Sequence, residues 1–212
     1  RERYPVAPSD LQLLADLRGQ VPIVALILGT SAGHGALCSM FADLVIMLEG
    51  ASLFTAGPPL VEAALGLEVS PGELGGAAMH IAQSGVAHNL AASEVDAFEQ
   101  ARYFLSLLPA RAGDSPPQPD ASAVEPAAAP LLDLLPADLH RAYEVRQVID
   151  LLVDQGSFFE VQAGYGASMV VGFARIRGLP GLVIANQPAV EAGAITRQAA
   201  EKAAHFLRVA SA

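Results

Sequence analysis

Only one cysteine, Cys38, occurs in this chain of 212 residues, so no disulfide can close within it. It falls on an apolar stretch after a small-residue turn, where a buried, inert thiol is expected. Lysine is equally scarce. Lys202 stands alone among 12 basic residues, leaving Schiff-base chemistry one poorly placed nucleophile. Basic charge is short overall, 12 residues against 22 acidic ones for a formal net charge of −10, which excludes an extended contact with a phosphate backbone and so a nucleic-acid partner. No apolar run approaches the roughly 18 residues that cross a bilayer, and the opening Arg1-Glu2-Arg3-Tyr4-Pro5 has no apolar signal region. The chain reads as soluble and cytoplasmic, with no membrane partner.

What the chain has in plenty is apolar or small. Hydrophobic residues make up 52%, enough core for one large or two small domains. The organising stretch is 21–47. An apolar run from Ile23 to Leu28 has strand length, stops at Gly29, passes through Thr30-Ser31-Ala32-Gly33-His34-Gly35, and restarts as a helix with Leu37, Met40 and Phe41 on one side. That turn carries almost no side-chain bulk, so N–H groups at the helix start can approach a phosphate, a carboxylate or a developing oxyanion. The same small residues equally well let a helix pack closely on a sheet.

In chain order, a polar lead from Arg1 to Ser9 precedes a helix capped by Ser9 or Asp10, with leucines at 11, 14 and 17 and its end at Gly19. Leu44 to Leu48 and Ser52 to Ala56 read as strands, Leu60 to Leu65 as a helix, and the glycine-dense Ser70 to His88 as loop. Ser93 caps a helix to Leu108 with Val95, Phe98, Ala101, Phe104 and Leu105 on one face. Residues 109–136 hold seven of the fifteen prolines and read as a linker between units at 1–108 and 137–212. Beyond it come a helix from Tyr143 to Gln155, a short strand from Phe158 to Val161, a hairpin of Met169 to Ile176 and Gly181 to Ala185 turning at Arg177-Gly178-Leu179-Pro180, and a helix from Arg197 to Val209. Alternating short strands and helices mark a layered α/β class.

Several motifs compete for the central turn. Gly29-Thr30-Ser31-Ala32-Gly33 fits the G-x-S-x-G elbow of serine hydrolases in a strand–turn–helix setting, with His80, His88, His140 and His205 downstream as bases for Ser31. A P-loop is excluded because no Gly-Lys-Ser/Thr follows, and a dinucleotide fingerprint fails because its third glycine is Cys38. His80 and His88 lie eight apart without a carboxylate or thiol completing a familiar spacing, so no metal site is expected.

Gly29 to Asp43, Phe54-Thr55-Ala56-Gly57-Pro58, Glu73-Leu74-Gly75-Gly76 and Ser84-Gly85-Val86-Ala87-His88 resemble the carboxyltransferase (β) subunits of biotin-dependent acyl-CoA carboxylases. Val170 to Arg175, Val183 to Pro188 and Ala200 to Ala204 are similar to the opening of that family's C-terminal domain. The resemblance implies crotonase-like β-β-α superhelices, with 1–108 the later part of one and 137–212 the start of the next. It implies transfer of carboxyl from carboxybiotin, held on a separate carrier, to the α-carbon of an acyl-CoA. Implied partners are a biotin carboxylase and biotin carboxyl carrier subunit, within a hexamer.

By the same resemblance, Gly33, His34 and Gly35 form the oxyanion hole for the enolate, with His34 replacing the family's second glycine. An N–H survives that change wherever φ is negative, and the imidazole points either into the acyl pocket or toward packing and solvent. Ala56, Gly57, Pro58, Gly85, Val86, His88 and Asn186 match segments bordering the acyl-CoA site. Three other readings remain: a serine hydrolase, a biotin-independent decarboxylase of a malonyl-type thioester, and an inactive scaffold segment.

Overall fold

The computed structural model describes residues 9–111, 113–116, 131–136, 138 and 141–211. Most of the proline-rich stretch at 109–136 and the lead at 1–8 therefore lie outside the described residues.

The first helix, α1 (Asp10–Leu17), starts where Ser9 Oγ accepts the Gln12 N–H at 3.2 Å, and it buries none of its residues. The chain then enters β1 (Val24–Ile27) and β2 (Thr30–Ala32), followed by α2 (His34–Ser39), β3 (Leu44–Leu48) and β4 (Ser52–Phe54). β1 and β3 pair in parallel, Val24 opposite Leu44. The four residues Leu44 to Met47 are all buried, as an unbroken apolar run requires of a central strand.

Both strands then change sheets. β1 breaks at Leu28–Gly29 and β3 at Glu49-Gly50-Ala51, and the chain re-pairs as a second parallel pair, β2 with β4, setting Thr30 opposite Ser52 and Ala32 opposite Phe54. Gly50 takes φ +84°, which a residue with a Cβ rarely adopts, and Ser52 N–H reaches back to Gly29 O at 3.3 Å.

Next come α3 (Pro58–Leu65), α4 (Pro71–Gly75), α5 (Ala77–Met79) running into a π turn at His80–Ser84, then β5 (Asn89–Ala91), which completes the sheet beside β3, and α6 (Glu94–Ser106). The second half holds α7 (Leu131–Leu134), α8 (Val145–Leu152), the antiparallel strands β6 (Phe159–Val161), β7 (Met169–Ile176) and β8 (Leu179–Asn186), and α9 (Arg197–Ser211). β7 and β8 form a hairpin whose two turn residues, Arg177 and Gly178, have φ of +52° and +80°, the left-handed pair that matches the twist of its strands.

One core joins the halves. Leu44, Ile46, Ala97, Ala101 and Phe104 pack with Val161, Val171, Phe173 and Phe206, and the Phe173 ring meets Phe104 at 5.5 Å and Phe206 at 6.1 Å, edge to face. Burying Phe104 and Phe206 completely contributes about 2–3 kcal/mol each. No helix among the described residues is long and apolar enough to cross a membrane.

Several expected details differ. Most of the 70–88 stretch, from Pro71 to Ser84, is short helices rather than loop, and 85–88 lacks regular structure. Ser70 and Glu73 make a reciprocal capping box with Pro71 in the first turn, and the glycines allow close packing: a Cβ on Gly75 would lie 2.1 Å from Leu53 O. On α2 the buried positions are Ala36 and Ser39, whereas Leu37 and Met40 are exposed. On α6 the buried face is Ala97, Ala101 and Phe104, with Val95, Phe98 and Leu105 outward. Leu179 and Pro180 belong to β8, an edge strand, where a proline removes no ladder donor that the sheet needs. The helix expected over 143–155 is confined to α8, because Val153 turns extended. Cys38 is half-buried rather than enclosed.

Candidate active site

The central turn is built by the β2–β4 pair. Gly33 follows β2 with φ +65° and ψ −123°, a conformation closed to L side chains, and its N–H donates to Phe54 O at 3.0 Å. That bond fixes the start of α2 against the end of β4. It also removes Gly33 from the set of free donors, leaving His34 and Gly35 of the three residues expected there. α2 makes its first helical bond from Leu37 N–H to Gly33 O. Among the described residues nothing accepts the N–H groups of His34 and Gly35, the first two helical positions, and both residues are exposed. Two adjacent bare donors at a helix start suit a single oxygen carrying negative charge.

Gly35 keeps this approach narrow, since a Cβ there would come 3.1 Å from Ser31 Oγ. Ser31 itself is half-buried and bonds to no histidine. His34 pairs with Asp10, His80 bonds Ser84 Oγ and Leu53 O at 2.7 Å each, His88 accepts from Val45 N–H, and His205 bonds Asp43 O at 3.0 Å. His140 lies outside the described residues. No described histidine is therefore placed to activate the Ser31 hydroxyl.

The His34 imidazole pairs with α1. Its Nε2 lies 2.5 Å from Asp10 Oδ2, and the hydrogen bond holds the Asp10 carboxyl below the usual carboxylate range. Of the two orientations left open for this side chain, the one toward solvent and α1 is realised.

Ala56, Gly57 and Pro58 sit beside the turn because β4 leads directly into them. Gly57 precedes α3, whose first two residues are Pro58 and Pro59. His80, reaching Leu53 O, holds β4 from the other side. The 84–88 loop is docked on the second half. Gly85, at φ +69°, lies under the Tyr165 ring, where a Cβ would meet the ring at 2.9 Å, and its carbonyl accepts from Gln162 Nε2 at 2.6 Å.

His88 is buried. Its Nδ1 accepts Val45 N–H at 3.0 Å, its ring lies 4.8 Å from that of His205, and desolvation with the neighbouring His205 pushes its pKa down to about 3. The ring is thus a neutral acceptor within the protein. Asn186 donates its side-chain amide to Gly193 O at 2.5 Å and closes its own loop, making no bond to the turn. Lys202 is 1% exposed and donates to Gln162 O, out of reach of any substrate carbonyl.

Sequence reasoning passed over two of these partners, Asp10 and Gln162. Neither carries a local signal, because their contacts to His34 and Gly85 span 24 and 77 positions.

Residues 13–212 match the family described as the carboxyl transferase domain. The biotin-dependent acetyl-/propionyl-coenzyme A carboxylase beta5 subunit of Mycobacterium tuberculosis (strain ATCC 25618 / H37Rv) is 40% identical over 199 residues, 90% of this chain and 36% of that protein. The methylmalonyl-CoA carboxyltransferase 12S subunit of Propionibacterium freudenreichii subsp. shermanii is 37% identical over 196 residues, again 90% of this chain and 36% of the relative. A crystal structure of transcarboxylase 12S, described as a hexamer with hydrolysed methylmalonyl-coenzyme A bound, superposes with a TM-score of 0.87 at 35% identity, covering 93% of this chain and 39% of that one. The chain thus spans well under half the length of these relatives. The α/β, crotonase-like fold expected from the sequence is the fold of these neighbours. With a match over almost its whole length and relatives at this identity, the chain belongs to the carboxyl transferase domain family of the biotin-dependent acyl-CoA carboxylases.

Proposed function

We propose that this chain forms part of a carboxyltransferase that moves carboxyl from carboxybiotin, delivered on a separate carrier, to the α-carbon of an acyl-CoA. The observation that carries the reading is the pair of bare amides at His34 and Gly35, held in place by the Gly33–Phe54 bond. At the acyl-CoA, the α-carbon loses a proton and gains the carboxyl carbon. Between the two events the thioester oxygen carries enolate charge. Two N–H donors at a helix start stabilise that charge where it develops, each contributing about 3–4 kcal/mol at the transition state.

Biotin supplies the carboxyl group, and this chain's part is to bind and polarise the acceptor. Gly35 gives the thioester room to approach, and Ala56, Gly57 and Pro58 border it through β4. The 85–88 loop shapes the far side by its backbone, since His88 turns its ring inward. The hexamer in this reading is supported by the 12S neighbour's description as a hexamer and a multienzyme core; biotin carboxylase and carrier subunits are the partners that the reading adds.

The enzyme carrying this chain is to be incubated with malonyl-CoA or methylmalonyl-CoA and free biotin, and the thioesters separated chromatographically. Loss of carboxyl that depends on biotin supports the reading. Loss that ignores biotin would instead identify a decarboxylase using the same amides. Covalent labelling of Ser31 by a fluorophosphonate would overturn both.

A further inference from the structure

Three metal-ligating side chains meet where α1 touches the start of α2. Asp10 comes from the first turn of α1, and His34 and Cys38 from α2, where a spacing of four puts them on one side of the helix. One donor atom from each, a carboxylate oxygen, an imidazole nitrogen and the thiol sulfur, lies within 4.8 Å of the others. We propose that Asp10, His34 and Cys38 form a binding site for a borderline-soft divalent cation, zinc being the best match.

The donor set selects the ion. A thiolate and an imidazole favour zinc over magnesium or calcium, which take all-oxygen shells. A tetrahedral zinc holds its ligands at about 2.0–2.3 Å, which sets their mutual separations near 3.5 Å. The three donors reach that spacing by small rotations, because Asp10 and His34 are more than half exposed at their side chains and Cys38 is half-buried. Asp10 is already oriented: its Oδ1 accepts the Leu11 N–H at 3.0 Å, leaving Oδ2 for His34. Binding exchanges the Asp10–His34 hydrogen bond for two metal bonds: the Nε2 proton that made that bond is released to solvent, the neutral ring keeping its one proton on Nδ1, and the Cys38 thiol proton leaves to solvent as its sulfur becomes a ligand. Three protein ligands leave the fourth position to water.

A second feature of the fold agrees. α1 buries none of its residues, so no core contact fixes it. Its polar contact with α2 is the Asp10–His34 pair, the place where the cation would bridge the two helices. A bound cation would therefore anchor α1 to the helix whose start carries the His34 and Gly35 amides.

The test reads metal binding alone and does not depend on turnover. The reduced protein is titrated with cobalt(II) in place of zinc, then back-titrated with zinc, with absorbance as the readout. The site predicts one cobalt per chain, a near-ultraviolet thiolate-to-cobalt charge-transfer band, intense visible bands of tetrahedral cobalt, and loss of both on adding zinc. Cys38→Ser is expected to abolish the charge-transfer band. His34→Gln and Asp10→Asn, both exposed and checked for folding by circular dichroism, are each expected to weaken cobalt binding at least about 10-fold. Absence of the band from the native protein overturns the proposal. So does a smaller effect of either His34→Gln or Asp10→Asn, because cobalt would then sit on a lone surface thiol.

Discussion

Replacing His34 by proline removes one N–H from the turn and leaves the other. His34 is the first helical residue of α2, the position where proline's fixed φ already suits the helix, and α2's first intrahelical bond runs from Leu37 to Gly33, so no bond of the helix is lost. If that amide carries half of the enolate stabilisation, its removal costs about 2.7–4 kcal/mol at the transition state, or roughly 100- to 1,000-fold in kcat. The control is His34→Gly. It keeps the N–H, deletes the imidazole and the exposed contact with Asp10, and is expected to lose less than about tenfold. Steady-state rates of biotin-dependent carboxyl transfer, with KM for the acyl-CoA measured in parallel, separate the two variants. A His34→Pro enzyme within tenfold of the parent would refute the assignment, as would a His34→Gly enzyme as impaired as the proline variant, since the side chain would then be responsible.

Other consequences can be tested in the same protein. His88 is held neutral with a pKa of about 3 against an ordinary 6.5, so between those values the unfolded chain binds a proton that the folded one does not, and stability is full above about 6.5 and falls with decreasing pH by about 1.4 kcal/mol per unit. Urea melts across pH 7 to 4.5 should show at least that slope, because burial also pushes His205 down, and His88→Asn, which retains an acceptor for Val45 N–H but does not titrate, should reduce it to the part that His205 contributes. Gly75→Ala places a methyl 2.1 Å from Leu53 O and should destabilise by about 1–3 kcal/mol through displacement of β4, measured as a lowered urea midpoint. Ser31→Ala should leave carboxyl transfer within a few-fold of the parent, because no described histidine activates that hydroxyl; a loss on the scale of His34→Pro would contradict it.

Strands and the central turn were legible in the sequence because their signals are local. An unbroken Leu44 to Met47 run means a central strand, and Arg177-Gly178 between two apolar runs means a hairpin. Misreadings arose where one residue type serves two purposes. Glycine at 75 and 76 suggests a loop, yet it permits a helix to touch the backbone of β4, and only the Ser70–Glu73 spacing betrays the cap. On α2 the small residues are buried and the large ones exposed, and on α6 Val95, Phe98 and Leu105 point outward beside buried Ala97, Ala101 and Phe104, so hydrophobicity alone misplaces part of the face. For the site, sequence found the turn but not which amides are free. That depends on a bond from Gly33 to Phe54, set by the shift of β2 and β4 into their own sheet, and no spacing within the turn encodes it.

The core shared by Phe104, Phe173 and Phe206 ties the two halves of the chain to each other. Each half keeps a cluster of its own, around Met47 and Leu53 in 9–108 and around Ile149 and Val170 in 141–211, but on separation each would expose the surface it now buries in the shared core. Changing the length of the connection between them adds only about 0.6 kcal/mol per doubling in closure entropy, so the connection is free to vary in length while the interface it spans is not. A chain cut between 112 and 130 would behave as a pair of complementary fragments. Each half would cover the apolar surface that the other exposes, Phe104 on one side and Phe173 with Phe206 on the other.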